Sequence, residues 1–284
     1  MEAQAFNFQK ARNVSETINA TFAFIRQEFK PLGKSILYMV GPVVLITSYF
    51  SSAYLNGLIQ GATQSPQDPL AMLGMLQSPY YWGTLALQVL GYVLNMMVIT
   101  YYIRGYIQNN NSTPSVNSVW ISAINDLPRI FFYVIVEYIV IIIGTFALII
   151  PGIYLGIGLT LFILVAIHER PGLIQSLSRS LKLIKNYWWF TVGVIILISI
   201  IAMVLQTIIE MPFYITGIVA GLNMKGQITP EDVSGWTAAL AVVLNLATLL
   251  YGIVFVTLNV HYFSQLEKKE ASGLQKQIEG MGGH

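Results

Sequence analysis

Glu137 lies inside the apolar run Ile130–Ile150 and is the only carboxylate well within such a run in this chain. A charge at the centre of a hydrocarbon layer costs about 2.5–3.5 kcal/mol on an insertion scale, so this side chain is expected to face other helices, bind a partner or carry a proton. Tyr133, Ile141 and Gly144 share its helical face, and the tyrosine hydroxyl can donate a hydrogen bond. Two further runs carry polar stripes. Thr84, Gln88, Gly91 and Asn95 recur at intervals of four, three and four, and Asn245, Thr248, Gly252 and Asn259 at three, four and seven. Each set stays on one helix face. Such stripes can hydrogen-bond helix to helix, at about 0.6 kcal/mol per bond in a membrane, or they can line a polar cavity. In the second case Glu137, Tyr133, Gln88, Asn95 and Asn245 form the candidate intramembrane site.

His168 and Glu169 end the fourth apolar run and His261 ends the sixth, so these three could meet as a proton or metal site. Neighbouring residues on a helix point about 100° apart, however. Two imidazoles and one carboxylate also make a thin ligand set, and solvation of the helix ends is the plainer expectation. HExxH, GxSxG and a Gly-rich loop ending in GK[ST] are all missing, so no catalytic residue, metal or cofactor is expected. Cysteine is absent, which excludes disulfides and thiolate ligands. A net charge of +2 without a dense basic block gives no reason to expect a nucleic-acid partner. His284 is assigned nothing.

The elements that must position these residues follow from composition. Hydrophobic residues make up 55% of the 284 and charged residues 10%, against about 25% charged in a soluble domain. A transmembrane helix needs about 20 mostly apolar residues, since each adds 1.5 Å toward a core about 30 Å thick. Six runs qualify: Ile36–Leu58, Tyr81–Ile103, Ile130–Ile150, Gly152–Ile167, Phe190–Ile209 and Thr237–Val260. Glu2, Gln4, Asn7, Lys10 and Arg12 open the chain, a polar start unlike a removable signal peptide. Lys10, Arg12, Arg26, Lys30, Lys34, Arg104, Arg129, Arg170, Arg179, Lys182, Lys185, Lys268, Lys269 and Lys276 would all fall on one side of such a bundle, with only Lys225 on the other. The positive-inside rule then puts both termini in the cytoplasm and three hairpins outward.

An amphipathic pattern recurs ahead of alternate spans. Ile18, Phe22, Ile25 and Phe29 precede the first, Trp120, Ile124, Leu127 and Phe131 the third, and Leu177, Leu181, Ile184 and Trp188 the fifth. The spacing is the same each time and confines each set to a stripe about 60° wide. Asn13 and Glu16 predict a capping box for the first of these helices, and Pro31 with Gly33 predicts its separation from the span that follows. Pro151-Gly152 predicts a tight turn between the third and fourth spans, and Gly152 with Gly156 a close helix approach. Tyr80, Tyr81, Trp82, Trp188 and Trp189 sit at span ends as interface anchors. Of the exterior loops, Ile59–Tyr80 and Met211–Trp236, the second carries a helix-start signal at Thr229-Pro230-Glu231-Asp232. The expected fold is therefore an all-α integral membrane protein, its six spans paired as three hairpins, each preceded by an in-plane cytoplasmic helix. One membrane domain, 1–262, would contain units at about 14–103, 115–168 and 172–262, and 263–284 would be a mobile cytoplasmic tail.

Ile150-Pro151-Gly152-Ile153-Tyr154-Leu155, then Glu169, Gly172, Ser176, Ser180, Leu183 and Trp188-Trp189, resemble the membrane domain attached to some bacterial glycerophosphodiester phosphodiesterases. They also resemble stand-alone six-span bacterial relatives of that domain. The resemblance covers about 45 residues and implies a helical domain of the bacterial cytoplasmic membrane. In the fused enzymes a separate soluble barrel performs the hydrolysis, and the short loops here leave no room for one. A non-enzymatic component is expected, binding membrane lipids or a protein partner on its cytoplasmic face, with Arg179, Lys182 and Lys185 as the candidate contacts. The alternative is a transporter of a small solute or lipid with a polar cavity around Glu137.

Overall fold

A computed structural model describes residues 6–64, 76–223 and 230–270. Lys225, Thr229, Lys276, His284 and most of the predicted tail lie outside them. The described residues form α1 (Val14–Gln64), α2 (Pro79–Gln108), α3 (Val116–Ala147), α4 (Ile149–Leu159), α5 (Phe162–His168), α6 (Leu173–Ile184), α7 (Trp188–Asn223), α8 (Pro230–Ala247), a 3-10 turn (Thr248–Tyr251) and α9 (Gly252–Glu270), with no strand among them. Six stretches are long and apolar enough to cross a membrane: Val14–Ile59, Pro79–Gln108, Val116–Phe146, Ile149–His168, Trp188–Ile215 and Ser234–Glu270. The most apolar of them, Trp188–Ile215, is only 17% buried, and Ile196, Ile200, Met203 and Ile208 point outward. Water would penalise that surface by about 25 cal/mol per Å², whereas hydrocarbon would not. The architecture is consistent with a multi-pass membrane protein, in which helices satisfy their own backbone.

The local signals explain where helices begin and bend. Asn13 and Glu16 form the predicted capping box, with Asn13 N donating to Glu16 Oε2 at 2.8 Å and Glu16 N to Asn13 Oδ1 at 2.9 Å. Pro31 and Gly33 do not separate two helices. The chain stays helical through both, and the break is a kink at Glu28, with φ −103° and ψ 16°. Pro31 lacks the N–H that Gln27 would accept from, so the strain falls one turn upstream. Ser115 Oγ caps α3 by accepting from Ser118 N at 3.2 Å, and α3 then runs through Pro128 without interruption. The second predicted in-plane helix is thus continuous with the span after it, because one missing bond does not end a 32-residue ladder. Only α6 is a separate helix.

Leu148, extended at φ −164° and ψ 136°, alone joins α3 to α4, and these two helices pack together. The turn therefore precedes Pro151-Gly152 rather than using it. Pro151 occupies the first turn of α4, where a missing N–H costs nothing. Gly152 meets α3 instead: a Cβ there would lie 2.6 Å from Thr145 Cα and 2.7 Å from Thr145 N, whereas one on Gly156 would meet nothing within 4 Å. Of the predicted glycine pair, Gly152 makes the close approach and Gly156 does not.

Two compact units emerge, neither a continuous stretch of chain. One holds the described residues of Met1–Ser35, Met96–Ile201 and Gly252–His284, the other those of Ile36–Asn95 and Ala202–Tyr251. This division does not follow the three sequential units expected from the hydropathy pattern.

The first unit contains all three amphipathic segments; Ile18 and Ile184 of the predicted stripes are buried, but most of the buried positions lie one residue ahead of those stripes. Thr17, Thr21, Phe24 and Glu28 are buried in α1, Val119, Ala123 and Ile130 in α3, and Ser176, Ser180 and Leu183 in α6, while Phe29 is 68% exposed and Ile124 is exposed. Small and hydroxyl side chains let helices approach and need partners, whereas apolar ones lose little by facing outward in lipid. Ser180 Oγ, for example, donates to Gly158 O at 2.8 Å.

The N-terminal segment is part of the same core. Phe8 packs against Phe24 and Phe263 with ring centroids 4.9 and 5.6 Å apart. The buried Arg12 guanidinium donates to Phe8 O at 2.9 Å and to Asn7 O. Burial draws its pKa below the usual arginine value, opposed by the charge of Glu16.

Candidate functional site

Within the second unit, α1, α2, α7, α8 and the 3-10 turn enclose a cavity of about 420 Å³. Ser51 and Tyr54 line it from α1, Tyr81, Thr84 and Gln88 from α2, Gln206, Glu210 and Tyr214 from α7, and Asn245 and Thr248 from α8 and the turn. The volume suits a small ligand. Asn245 is held in place by donating from Nδ2 to Ser51 Oγ at 3.2 Å and to Ala241 O at 2.7 Å. Gln206 Nε2 donates to Glu210 Oε1 at 2.7 Å, an i, i+4 pair that fixes the carboxylate against its own helix. Thr84 Oγ1 is buried without a hydrogen-bond partner. A carboxylate, two amides from the predicted stripes and a set of hydroxyls thus converge on one space.

The predicted site divides between the two units. Gln88 and Asn245 line the cavity, whereas Asn95 is buried apart from its lining, with Nδ2 3.5 Å from Leu249 O and Oδ1 unpartnered. Glu137 and Tyr133 belong to α3 of the first unit. Tyr133 does not serve Glu137. Its ring stacks on Phe162 with centroids 5.6 Å apart, and Arg129 sits over it at 5.8 Å. A helical side chain points back toward its own N-terminus, so Tyr133 reaches toward residue 129 and away from 137.

The carboxylate of the cavity is Glu210, which the sequence reading missed because the predicted span stopped at Ile209. Its signal was Gln206 one turn earlier, together with the apolar residues Met211, Phe213 and Ile215 that follow.

Asn259 leaves the cavity stripe for a different reason. Four residues of 3-10 helix turn by about 120° each instead of 100°, which swings the remainder of the helix by about 80°. Asn259 is fully buried in the first unit, donating to Thr100 Oγ1 at 3.2 Å and Phe255 O at 2.9 Å, while its Oδ1 pairs with His168 Nε2 at 2.8 Å. Because the amide nitrogen is already donating, the proton in that last bond belongs to His168.

The two histidines are built into separate contacts. His261 is fully buried, bonded through Nε2 to Thr191 Oγ1 at 3.0 Å and stacked on Phe190, which corrects the expectation of a solvated helix end. Glu169 accepts from Arg179 Nε at 3.0 and 3.1 Å and from Tyr262 OH at 2.9 Å. Among the described residues no three His, Asp or Glu side chains are grouped to hold a metal.

Arg179 is likewise committed within the chain. It bridges Glu169 and Glu270, and those two carboxylates raise its pKa, Glu270 foremost, against the opposite pull of desolvation. Of the three candidate basic contacts, Lys182 on α6 and Lys185 at its C-cap are exposed, and Arg179 faces its own acidic partners. Arg179→Ala is expected to cost about 1 kcal/mol, the upper range for a partly exposed pair. Denaturant titration at rising ionic strength should shrink that cost, and a loss indifferent to salt would assign it to packing instead.

No family model, no curated protein and no solved structure matches this chain.

Proposed function

We propose that this chain is a non-enzymatic, multi-pass protein of a bacterial cytoplasmic membrane, with both termini inside, that binds and transfers a small polar solute through the cavity of its second unit. The cavity lining carries this reading: Glu210, Gln88, Asn245 and the tyrosine hydroxyls offer one carboxylate and several neutral donors and acceptors. That mixture suits a solute bearing an ammonium or hydroxyl groups. The distribution of lysine and arginine supports the orientation, with the spans paired as three outward hairpins and the amphipathic segments on the cytoplasmic side.

The test is a thermal-shift screen of the full chain in lipid nanodiscs against small amines, amino acids and polyols. A solute that binds should raise Tm, and Glu210→Gln should weaken its binding about tenfold, equivalent to about 1.4 kcal/mol. A ligand whose affinity is unchanged in both Glu210→Gln and Gln88→Leu would place binding elsewhere. The second reading, an accessory component that holds anionic lipid or an acidic protein on its cytoplasmic face, is favoured by exposed Lys182 on α6 and Lys185 at its C-cap. A stoichiometric partner lost on reversing both charges would support it.

A further inference from the structure

A second cavity, of about 230 Å³, lies wholly within the first unit, between the C-terminal turns of α2, the N-terminal turns of α3 and the link from α5 to α6. Arg104 and Arg170 both line it, together with Gln108, Asn109 and Ser122. Arg104 is held by one contact and Arg170 by Asp126 and the Tyr101 hydroxyl, which leaves other N–H groups of each fork available. Arg104 Nη1 donates to Ile167 O at 2.7 Å, and Arg170 Nη2 to Asp126 Oδ2 at 3.3 Å. Asp126 also takes Arg129 at 3.0 Å and Tyr101 OH, so one carboxylate pairs with two guanidiniums beside Arg104. Arg170 is positioned by backbone that few side chains adopt, at φ +56°. A non-glycine residue there marks a position whose surroundings hold it against local preference.

We propose that this cavity is a binding site for a phosphate-type oxyanion, either a free phosphate group or the phosphate of an anionic lipid headgroup. Two planar forks can each present paired N–H donors to phosphate oxygens, and among the described residues Asp126 is the only carboxylate ion-paired with Arg104, Arg129 or Arg170. Gln108, Asn109 and Ser122 add neutral donors at the wall. The cavity is smaller than drug-sized pockets, which suits an oxyanion or a headgroup rather than a large molecule. The lipid source rests on the cytoplasmic placement proposed above, which would set Arg104 and Arg170 at the depth of the inner-leaflet headgroups, where basic pockets between helices hold acidic lipids.

The experiment uses the full chain in nanodiscs of neutral phosphatidylcholine. One arm titrates inorganic phosphate and follows Tm, and the other adds phosphatidylglycerol and counts retained lipids by native mass spectrometry. Arg170→Gln should lower retention or phosphate affinity at least fivefold. Gln108→Glu places a like-charged wall against the anion without touching either arginine's anchoring bond, and it should do the same. Arg26→Gln, an exposed position outside the cavity, should change neither. Response to phosphate alone identifies a free anion, and response to phosphatidylglycerol alone identifies a lipid. Unchanged binding in both Arg170→Gln and Gln108→Glu, or no binding in either arm, overturns the site. Because the chain has no cysteine, Ser112→Cys reports the side on which this end lies. Labelling from outside the cell would remove the cytoplasmic placement without deciding whether the anion binds.

Discussion

Gly152→Val is expected to abolish the packed arrangement of α3 and α4, at a cost of about 3 kcal/mol or more. The physical cause is backbone against backbone. A Cβ at 152 would stand 2.6 Å from Thr145 Cα, a contact that no rotamer change can relieve. Overpacking a core by a methylene group costs about 1–3 kcal/mol when side chains can shift. Here only helix separation relieves the clash, and the single-residue connection at Leu148 restricts that separation. Gly152→Ala belongs at the upper end of the overpacking range, and the valine variant lies beyond it. Equilibrium unfolding in mixed detergent, followed by circular dichroism, would measure both. Gly156→Ala is the control, since its Cβ would enter open space. Equal stabilities for the two alanine variants would show that the helices do not approach so closely.

Glu28→Ala is expected to cost about 2 kcal/mol through a different mechanism, the stranding of a buried donor. Tyr102 OH and Thr113 Oγ1 both donate to Glu28 Oε2, at 2.6 and 2.9 Å, and Tyr102 is fully buried. One carboxyl thereby ties the kink of α1 to α2 and to the segment leading into α3. A buried donor left without an acceptor costs about 1–3 kcal/mol, and alanine would leave one such group, the Tyr102 hydroxyl, since Thr113 is exposed. Glu28→Gln keeps an acceptor in place and should lose less than half as much. Combining Glu28→Ala with Tyr102→Phe removes the stranded hydroxyl, so the double variant should be more stable than the sum of the single losses predicts. Strictly additive losses would mean that this hydrogen bond is energetically idle.

Glu28 also illustrates what one-dimensional pattern can and cannot deliver. Pro31 and Gly33 predicted a separation of two helices where the chain only kinks at Glu28, whereas Asn13 with Glu16 announced the helix start at the right residue. The partners Tyr102 and Thr113 are more than 70 positions away in sequence, and no local spacing signals them. The same holds for Arg179. Its neighbours in α6 suggested a cationic outer face, but Glu169 and Glu270 arrive from other elements and take up its charge.

In the candidate cavity, Gln88 and Asn245 were readable because four-and-three spacing keeps polar groups on one helix face. Glu137 drew attention by its depth in an apolar run, yet the carboxylate that shares space with those amides is Glu210. The difference lies in where a span ends. Hydropathy sees Glu210 as a boundary, while the helix continues to Asn223 and carries that side chain along the cavity wall.

What this chain determined by itself was its solvent and its secondary structure. Long apolar segments must satisfy their backbone internally once water is excluded, so composition alone dictates helices of bilayer length. Only tertiary packing decided which face of each helix turns inward. In water the apolar stripe must be buried and therefore names the packed face, but against hydrocarbon that driving force vanishes. Small and hydroxyl residues one position earlier then share the contact with buried apolar ones, Thr17 and Thr21 beside Ile18 and Phe24 in α1, Ala123 beside Val119 in α3, and Ser176 and Ser180 beside Leu183 and Ile184 in α6.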